Sequence, residues 1–544
     1  MTTQEYIHQK LQEFLKERGI EGIEVQIEKP KEEKFGDFAT NLALQLARHL
    51  KKNPRQIAEE IKAFVGEDSQ FVRKIEIAGP GFVNFFAATA NIYAQLAEIL
   101  QKKEEYGKST LGAGKKANVE FVSANPTGPL TIGHGRGAVY GDTVARLLEA
   151  VGYDVTREYY FNNAGRQMRI LGESVRLRYL ELCGEKIDFP EEYYQGTYII
   201  DIARSIYEEK GDALKDETDI TYFKDRAEQI IFDDIKHTIK RLGFEFDVFY
   251  NERSLYDEGK IDEVVEGLRK KGLVAERDGA VWFLTSKLGF EKDRVIIKST
   301  GEPTYRLPDM AYHVEKIKRG FDLIIDVFGA DHIATYPDVL AAVKALGYDA
   351  DRVKVLIHQF VTLYEGDEVV KMSTRRANFV TLDELLDEVG SDVTRYFFLM
   401  RSMSSHLNFD LTLAKKQSDE NPVFYIQYAH ARICSILKLA REKEIDLNTS
   451  PELSLLSTTE ELNLIKHLIR FPQLVQACAQ DFETHRLANY LFDLATLFHK
   501  FYTECRVISD NVPLSQARLA LIDATRHVLA NGLGLLGISA PDHM

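Results

Sequence analysis

Between Asn118 and Asp142 the chain reads NVEFVSANPTGPLTIGHGRGAVYGD, and its hydrophobic periodicity changes once, across a glycine-rich turn. Asn118 to Val122 has the pattern of a short buried strand through Val119, Phe121 and Val122. Pro126, Gly128 and Pro129 then exclude regular structure. From His134 onward Ala138, Val144, Ala145, Leu148 and Val151 recur at helical spacing, and Tyr153 to Phe161 reads as a second strand. Strand, glycine-rich turn, helix and strand in succession is how open parallel sheets present backbone N–H groups to phosphate. A doubly wound, Rossmann-like α/β domain is therefore expected around this stretch.

At 544 residues the chain exceeds one core, and about three domains are expected from a prior of roughly 150 residues each. Residues 1–108 read as a small α+β module, with helices over 6–18, 40–50 and 54–64 and strands over 23–27 and 72–77. Residues 109–380 read as the parallel-sheet domain, interrupted by an insertion over about 170–290 that holds the single tryptophan, Trp282. Strands expected at 294–298, 322–328 and 353–359, with a helix over 336–346, complete the sheet. Beyond 380 the apolar residues keep helical spacing, for instance Ile426, Ala429, Ile433 and Leu437, so 381–544 is expected to be all α.

A formal charge of −15 argues against a protein that coats nucleic acid non-specifically, though a local basic patch can still bind RNA. Cys183, Cys434, Cys478 and Cys505 are far apart and form no C-x-x-C pair, which predicts neither structural zinc nor a disulfide framework. The amphipathic N-terminus is unlike a signal peptide, and no apolar run is long enough to span a bilayer. A cytoplasmic protein with no membrane partner is expected.

The chemistry concentrates in two places. Thr131, Gly133, His134 and Gly135 lie where the loop enters the helix, where an imidazole can bond a phosphate oxygen and Gly133 leaves room for a nucleoside. An ordinary capping turn with a satisfied histidine is the plain alternative. About 240 residues later comes Lys371, Met372, Ser373, Thr374, Arg375 and Arg376, either a solvated basic turn or a loop that follows charge onto a leaving pyrophosphate.

Together and in this order, TIGH and KMSTRR resemble the HIGH and KMSKS signatures of class I aminoacyl-tRNA synthetases. SANPTGPLTIGHGRGAVYGD, FNNAGRQ, NPVFYIQYAHAR, FETHRLANYLFDLATLFHKFY and the ending GLGLLGISAPDHM narrow the resemblance to the arginyl-tRNA synthetase family. It departs from the signatures at Thr131, where the family pattern has histidine, and at Thr374, where it has lysine.

The resemblance implies a site for L-arginine, for ATP with Mg2+ and for tRNA(Arg), in a monomer. Catalysis and ATP binding fall to Thr131, Gly133, His134, Gly135, Lys371, Met372, Ser373 and Arg375. A guanidinium needs fixed carboxylates, which Glu120 and Asp309 are placed to supply. By resemblance, Ser123 and Asn125 hold the amino acid's backbone end and Tyr305 packs on it, with Tyr312 and His313 as neighbours. Lys34, Phe35 and Asn41 in the N-terminal module, and Tyr428 and Arg432 in the helical domain, are the expected tRNA contacts. Two rivals are a small-substrate nucleotidylyltransferase, which leaves the helical third idle, and a catalytically inactive tRNA-binding paralogue.

Overall fold

The computed structural model describes the chain apart from residues 31, 367, 371–379 and 447–449 and the side chains of 33 and 331. The expectations for Lys371, Met372, Ser373, Thr374, Arg375 and Arg376 lie outside the described residues.

The N-terminal unit is built on a three-stranded antiparallel sheet ordered Phe38–Thr40, Phe82–Ala87, Val72–Ala78. Helix Thr3–Glu17 starts at a capping box, in which the Thr2 N–H donates to Glu5 and the Glu5 N–H to the Thr2 hydroxyl. Its Ile7, Leu11 and Phe14 stripe packs with Leu46, Ile57, Ile61 and Phe85 into a separate core. The strand expected over 23–27 does not form; only Glu28 bridges to Ala39. Helix Thr89–Lys102, read from sequence as part of this module, buries Ile92, Leu96 and Ile99 in the core shared by the catalytic and helical domains.

Five parallel strands form the central sheet, ordered Val353–His358, Leu323–Gly329, Lys116–Glu120, Asp154–Phe161, Val248–Asn251. Chain order reverses between Leu323–Gly329 and Lys116–Glu120, so a crevice opens beyond their C-terminal ends. Two expectations change here. Val248–Asn251, inside the expected insertion, is an edge strand of the sheet. Arg294–Ile297 pairs instead with Ala280–Phe283 in a small antiparallel sheet, whose third strand, Val274–Arg277, is joined to Ala280–Phe283 by a two-residue hairpin turn at Asp278 and Gly279, at φ of 52° and 73°.

Beyond residue 380 the chain is helical, except that Leu407–Asp410 pairs in parallel with Val361–Glu365. Helices Pro422–Glu442, Thr459–Leu468, Phe471–Asp481, His485–Glu504 and Val512–Leu535 form the C-terminal bundle. Among the described residues no helix is long and apolar enough to cross a membrane.

Helix Ile132–Ala150 is the junction of these parts and is almost wholly buried. Its Arg136 donates to the carbonyls of Gln359, Ser402 and Ser405 at 2.8 to 3.0 Å. Its Asp142 accepts from Arg146, Arg157 and the buried Arg395, and Arg395 also donates to the carbonyls of Leu242 and Leu536.

Candidate active site

A cavity of about 1090 Å³ occupies the crevice, and it is lined by residues from every strand end of the parallel sheet. The first strand stops at Glu120 because the backbone turns sharply: Val122 and Ser123 lie at φ of 68° and 45°. Positive φ at a β-branched residue is held only where its surroundings dictate it, at about 1–3 kcal/mol for each strained residue. Here the Ser123 hydroxyl donates to Glu120 (2.9 Å) and accepts from the Tyr160 N–H (3.1 Å), which fixes the bend.

One half of the cavity is acidic. Glu120 is buried and ion-paired with Lys316, which also binds Asp326 at 2.6 Å. Burial pulls Lys316 down, but Asp326 and Glu120 outweigh it and keep it protonated well above its ordinary range. His313 has acceptors on both nitrogens, the Asp309 carbonyl at 2.7 Å and the Asp326 carboxylate at 2.8 Å. Burial opposes its charge, yet Asp326 raises its pKa, and His313 joins Lys316, Glu120 and Asp326 in a network behind the cavity.

Asp309 is different. It sits one turn into helix Arg306–Lys318 and lines the cavity, and its carboxylate accepts no hydrogen bond from a described residue. Burial pushes it up to about 7 against the pull of His313, with Glu120, Glu252 and Asp326 adding to the push. Glu252 faces the same space; it accepts from the Tyr160 hydroxyl and the Asn162 amide, both at 2.8 Å, and burial raises its pKa too. Among the described residues neither carboxylate has a cationic partner, and two such groups in a partly buried pocket are arranged for an incoming cation. Tyr305, 81% exposed at the start of the Asp309 helix, stands at the rim.

The other half is the helix end. The Thr131 N–H donates to His134 Nδ1 at 3.1 Å, the returning bond of a capping box with histidine at its third position. With Nδ1 accepting, the neutral ring carries its proton on Nε2 and is set to donate to an anion. The position of a side chain on Gly133 meets little but the Thr131 hydroxyl at 3.6 Å, so this wall stays open. Gly329, His332, His358, Gln359 and Phe360 face the same half.

The structure thus brings Glu120, Ser123, Asn125, Thr131, Gly133, His134, Tyr305, Asp309, Tyr312 and His313 to one cavity. Gly135, expected beside them, does not line the cavity: its N–H is held by the Thr131 carbonyl, and a side chain there would strike Leu382 at 2.7 Å. Tyr312 offers only its ring, since it is 2% exposed and its hydroxyl donates to Glu158 at 2.5 Å. Asn125 accepts from the Asn162 N–H and donates to Gln167, which ties two loops together at the cavity wall. Glu252, Tyr160 and Asn162 were not anticipated; the available signal was the apolar run DVFYN breaking into Glu252.

The expected tRNA contacts lie on two remote surfaces. Phe35 and Asn41 line a shallow cavity of about 350 Å³ with Phe82, and Lys34 lies 4.9 Å from the Phe35 ring. On the helical bundle the Arg432 guanidinium sits between the rings of Tyr428 (4.8 Å) and Tyr502 (4.7 Å).

Three family models match the chain. Residues 2–87 match the arginyl tRNA synthetase N terminal domain, 95–397 the class I (R) tRNA synthetase catalytic domain, and 426–544 the DALR anticodon binding domain. The chain is 57% identical over 521 residues to the arginine–tRNA ligase of Desulfotalea psychrophila, covering 95% of this chain and 94% of that one. It is 53% identical over 551 residues to that of Chlorobium phaeovibrioides, covering 99% and 100%. The solved Thermus thermophilus arginyl-tRNA synthetase has the same fold, with a TM-score of 0.80 at 24% identity over 99% of each chain. The chain belongs to the arginyl-tRNA synthetase family of class I aminoacyl-tRNA synthetases.

Proposed function

We infer that this protein is an arginine–tRNA ligase, which activates L-arginine with ATP and transfers it to the 3′ end of tRNA(Arg). The observation that carries this reading is one cavity with the unpaired Asp309 carboxylate and Glu252 at one end and the His134 helix terminus at the other. The guanidinium binds Asp309 and Glu252 with Tyr305 closing over it. Glu120, already balanced by Lys316, faces the α-amino group with Ser123 and Asn125.

The arginine carboxylate oxygen then attacks the α-phosphorus of Mg-ATP, in which Mg2+ enters with the substrate. The bond from that phosphorus to the bridging oxygen breaks, and pyrophosphate leaves with the electron pair. His134 Nε2–H and the Thr131 hydroxyl donate to phosphate oxygens as charge builds, and Gly133 admits the nucleoside. Lys371 and Arg375 supply the cationic side of this step on chemical grounds, and Ser373, with Met372 beside it, adds a neutral hydroxyl donor. In the second step the 2′-hydroxyl of the terminal adenosine attacks the adenylate carbonyl, forming the ester and releasing AMP. The tRNA is held through Lys34, Phe35 and Asn41 and through the Tyr428–Arg432 stack, where bases can lie on aromatic and guanidinium faces. The enzyme works as a cytoplasmic monomer; its four free thiols fit a reducing compartment.

Arginine-dependent exchange of pyrophosphate into ATP tests the reading, run with and without tRNA(Arg). Exchange supported by arginine alone among the amino acids is expected, and exchange with a different amino acid would overturn the assignment. Family resemblance implies that tRNA is required for the first step; rapid exchange without it removes that part only.

A further inference from the structure

We propose that His430, Cys434 and Asp542 form a binding site for a thiolate-preferring divalent cation of the zinc type, fastening the C-terminal segment to helix Pro422–Glu442. One potential ligand atom from each residue lies within 4.8 Å of the other two. His430 and Cys434 are four residues apart on the helix and so share a face, while Asp542 arrives from the chain's end. With bonds of about 2.3 Å to sulfur and 2.0 Å to nitrogen or oxygen, a tetrahedral zinc site has ligand–ligand edges of about 3.5 Å. Cys434 Sγ stands 3.3 Å from Asp542 Oδ1 and 3.8 Å from His430 Nδ1, so small shifts complete the geometry.

The chemistry of the donor set agrees. A thiolate and a carboxylate cancel a divalent charge, and water completes the fourth position on the side of the exposed Asp542. The nearby Arg526 guanidinium is paired with Asp523 at 2.7 Å. Without metal, His430 Nδ1–H donates to the Pro541 carbonyl at 2.9 Å and the Cys434 thiol to Asp542. On binding, the imidazole proton moves to Nε2 and the thiol proton passes to solvent, so one proton is released for each cation bound. His430 is 2% exposed and turned into this cluster, unlike Tyr428 and Arg432 on the same helix. Cysteine spacing hides such a site, because it uses a single cysteine and a carboxylate more than 100 residues away.

The test titrates full-length protein, reduced and freed of metal with a chelator, with Co(II) alone and then with Zn(II). Binding of one Co(II) per chain is expected, with a near-ultraviolet thiolate-to-cobalt band and the intense visible bands of tetrahedral Co(II), all removed by Zn(II). Cys434→Ser should abolish the near-ultraviolet band. Asp542→Asn, on the exposed tail where the fold is not at risk, should weaken Co(II) binding by about tenfold or more. Absence of the thiolate band in the unaltered protein, its survival in Cys434→Ser, or unchanged affinity in Asp542→Asn each overturns the proposal.

Discussion

Replacing Asp309 with asparagine should move binding and stability in opposite directions. In the empty site burial holds this carboxyl at about 7, against an ordinary aspartate value of 3.8. Its folded-state pKa is thus raised, so the folded protein holds a proton that the unfolded chain has lost between about pH 4 and 7, and stability falls as pH rises through that window. Above pH 7 the ionised group costs the empty protein on the order of 4 kcal/mol at 1.36 kcal/mol per decade. Asp309→Asn removes that cost, so the arginine-free variant should melt higher than the parent at about pH 8 and show a smaller gap at about pH 5. The same change removes a charge-assisted bond to the guanidinium of about 1.5–3 kcal/mol, which raises the arginine dissociation constant about 10- to 150-fold. For the parent, arginine binding should weaken about tenfold from pH 8 to pH 6, because Asp309 must lose its proton first. Calorimetric titration in buffers of different ionisation enthalpy would register that proton. Arginine affinity that is flat between those pH values, or a variant that binds normally, would refute the argument.

Other perturbations separate the remaining parts. His134→Ala should lower arginine-dependent pyrophosphate exchange about 10²- to 10³-fold while leaving tRNA affinity, measured by filter binding, within a factor of a few. Asp142→Asn leaves the buried Arg395 without its counter-charge and should cost about 3–5 kcal/mol in denaturant unfolding. Tyr428→Ala removes one face of the Arg432 stack and should raise KM for tRNA with a change of about 1–3 kcal/mol, with arginine affinity unchanged.

The fold was legible where periodicity is strong and misread where strands are short. The Asn118–Asp142 stretch forms strand, turn and helix in the expected order, although the strand runs from Lys116 to Glu120 and Val122 already lies in the turn, because the buried polar side chains of Asn118 and Glu120 blur the strand's apolar pattern while the core helix keeps its own. Val248–Asn251 and Leu407–Asp410 have four residues each, too few for alternation to stand out, and their pairing is set by partners far along the chain. The site divides similarly. Motif positions such as His134 and Asp309 could be named from sequence, whereas Glu252 joins them only because an edge strand delivers it to the crevice. Gly135 shows the converse: it belongs to the motif, yet a side chain there would point at Leu382 and Phe398, away from the residues that line the cavity.

The Arg395 guanidinium that neutralises Asp142 also holds the carbonyl of Leu536, eight residues from the end of the chain. A displacement of the helix end at Leu536 is thereby felt at Asp142, on the helix that presents His134, so the packing of the C-terminal bundle and the His134 end of the cavity are joined mechanically through one buried side chain.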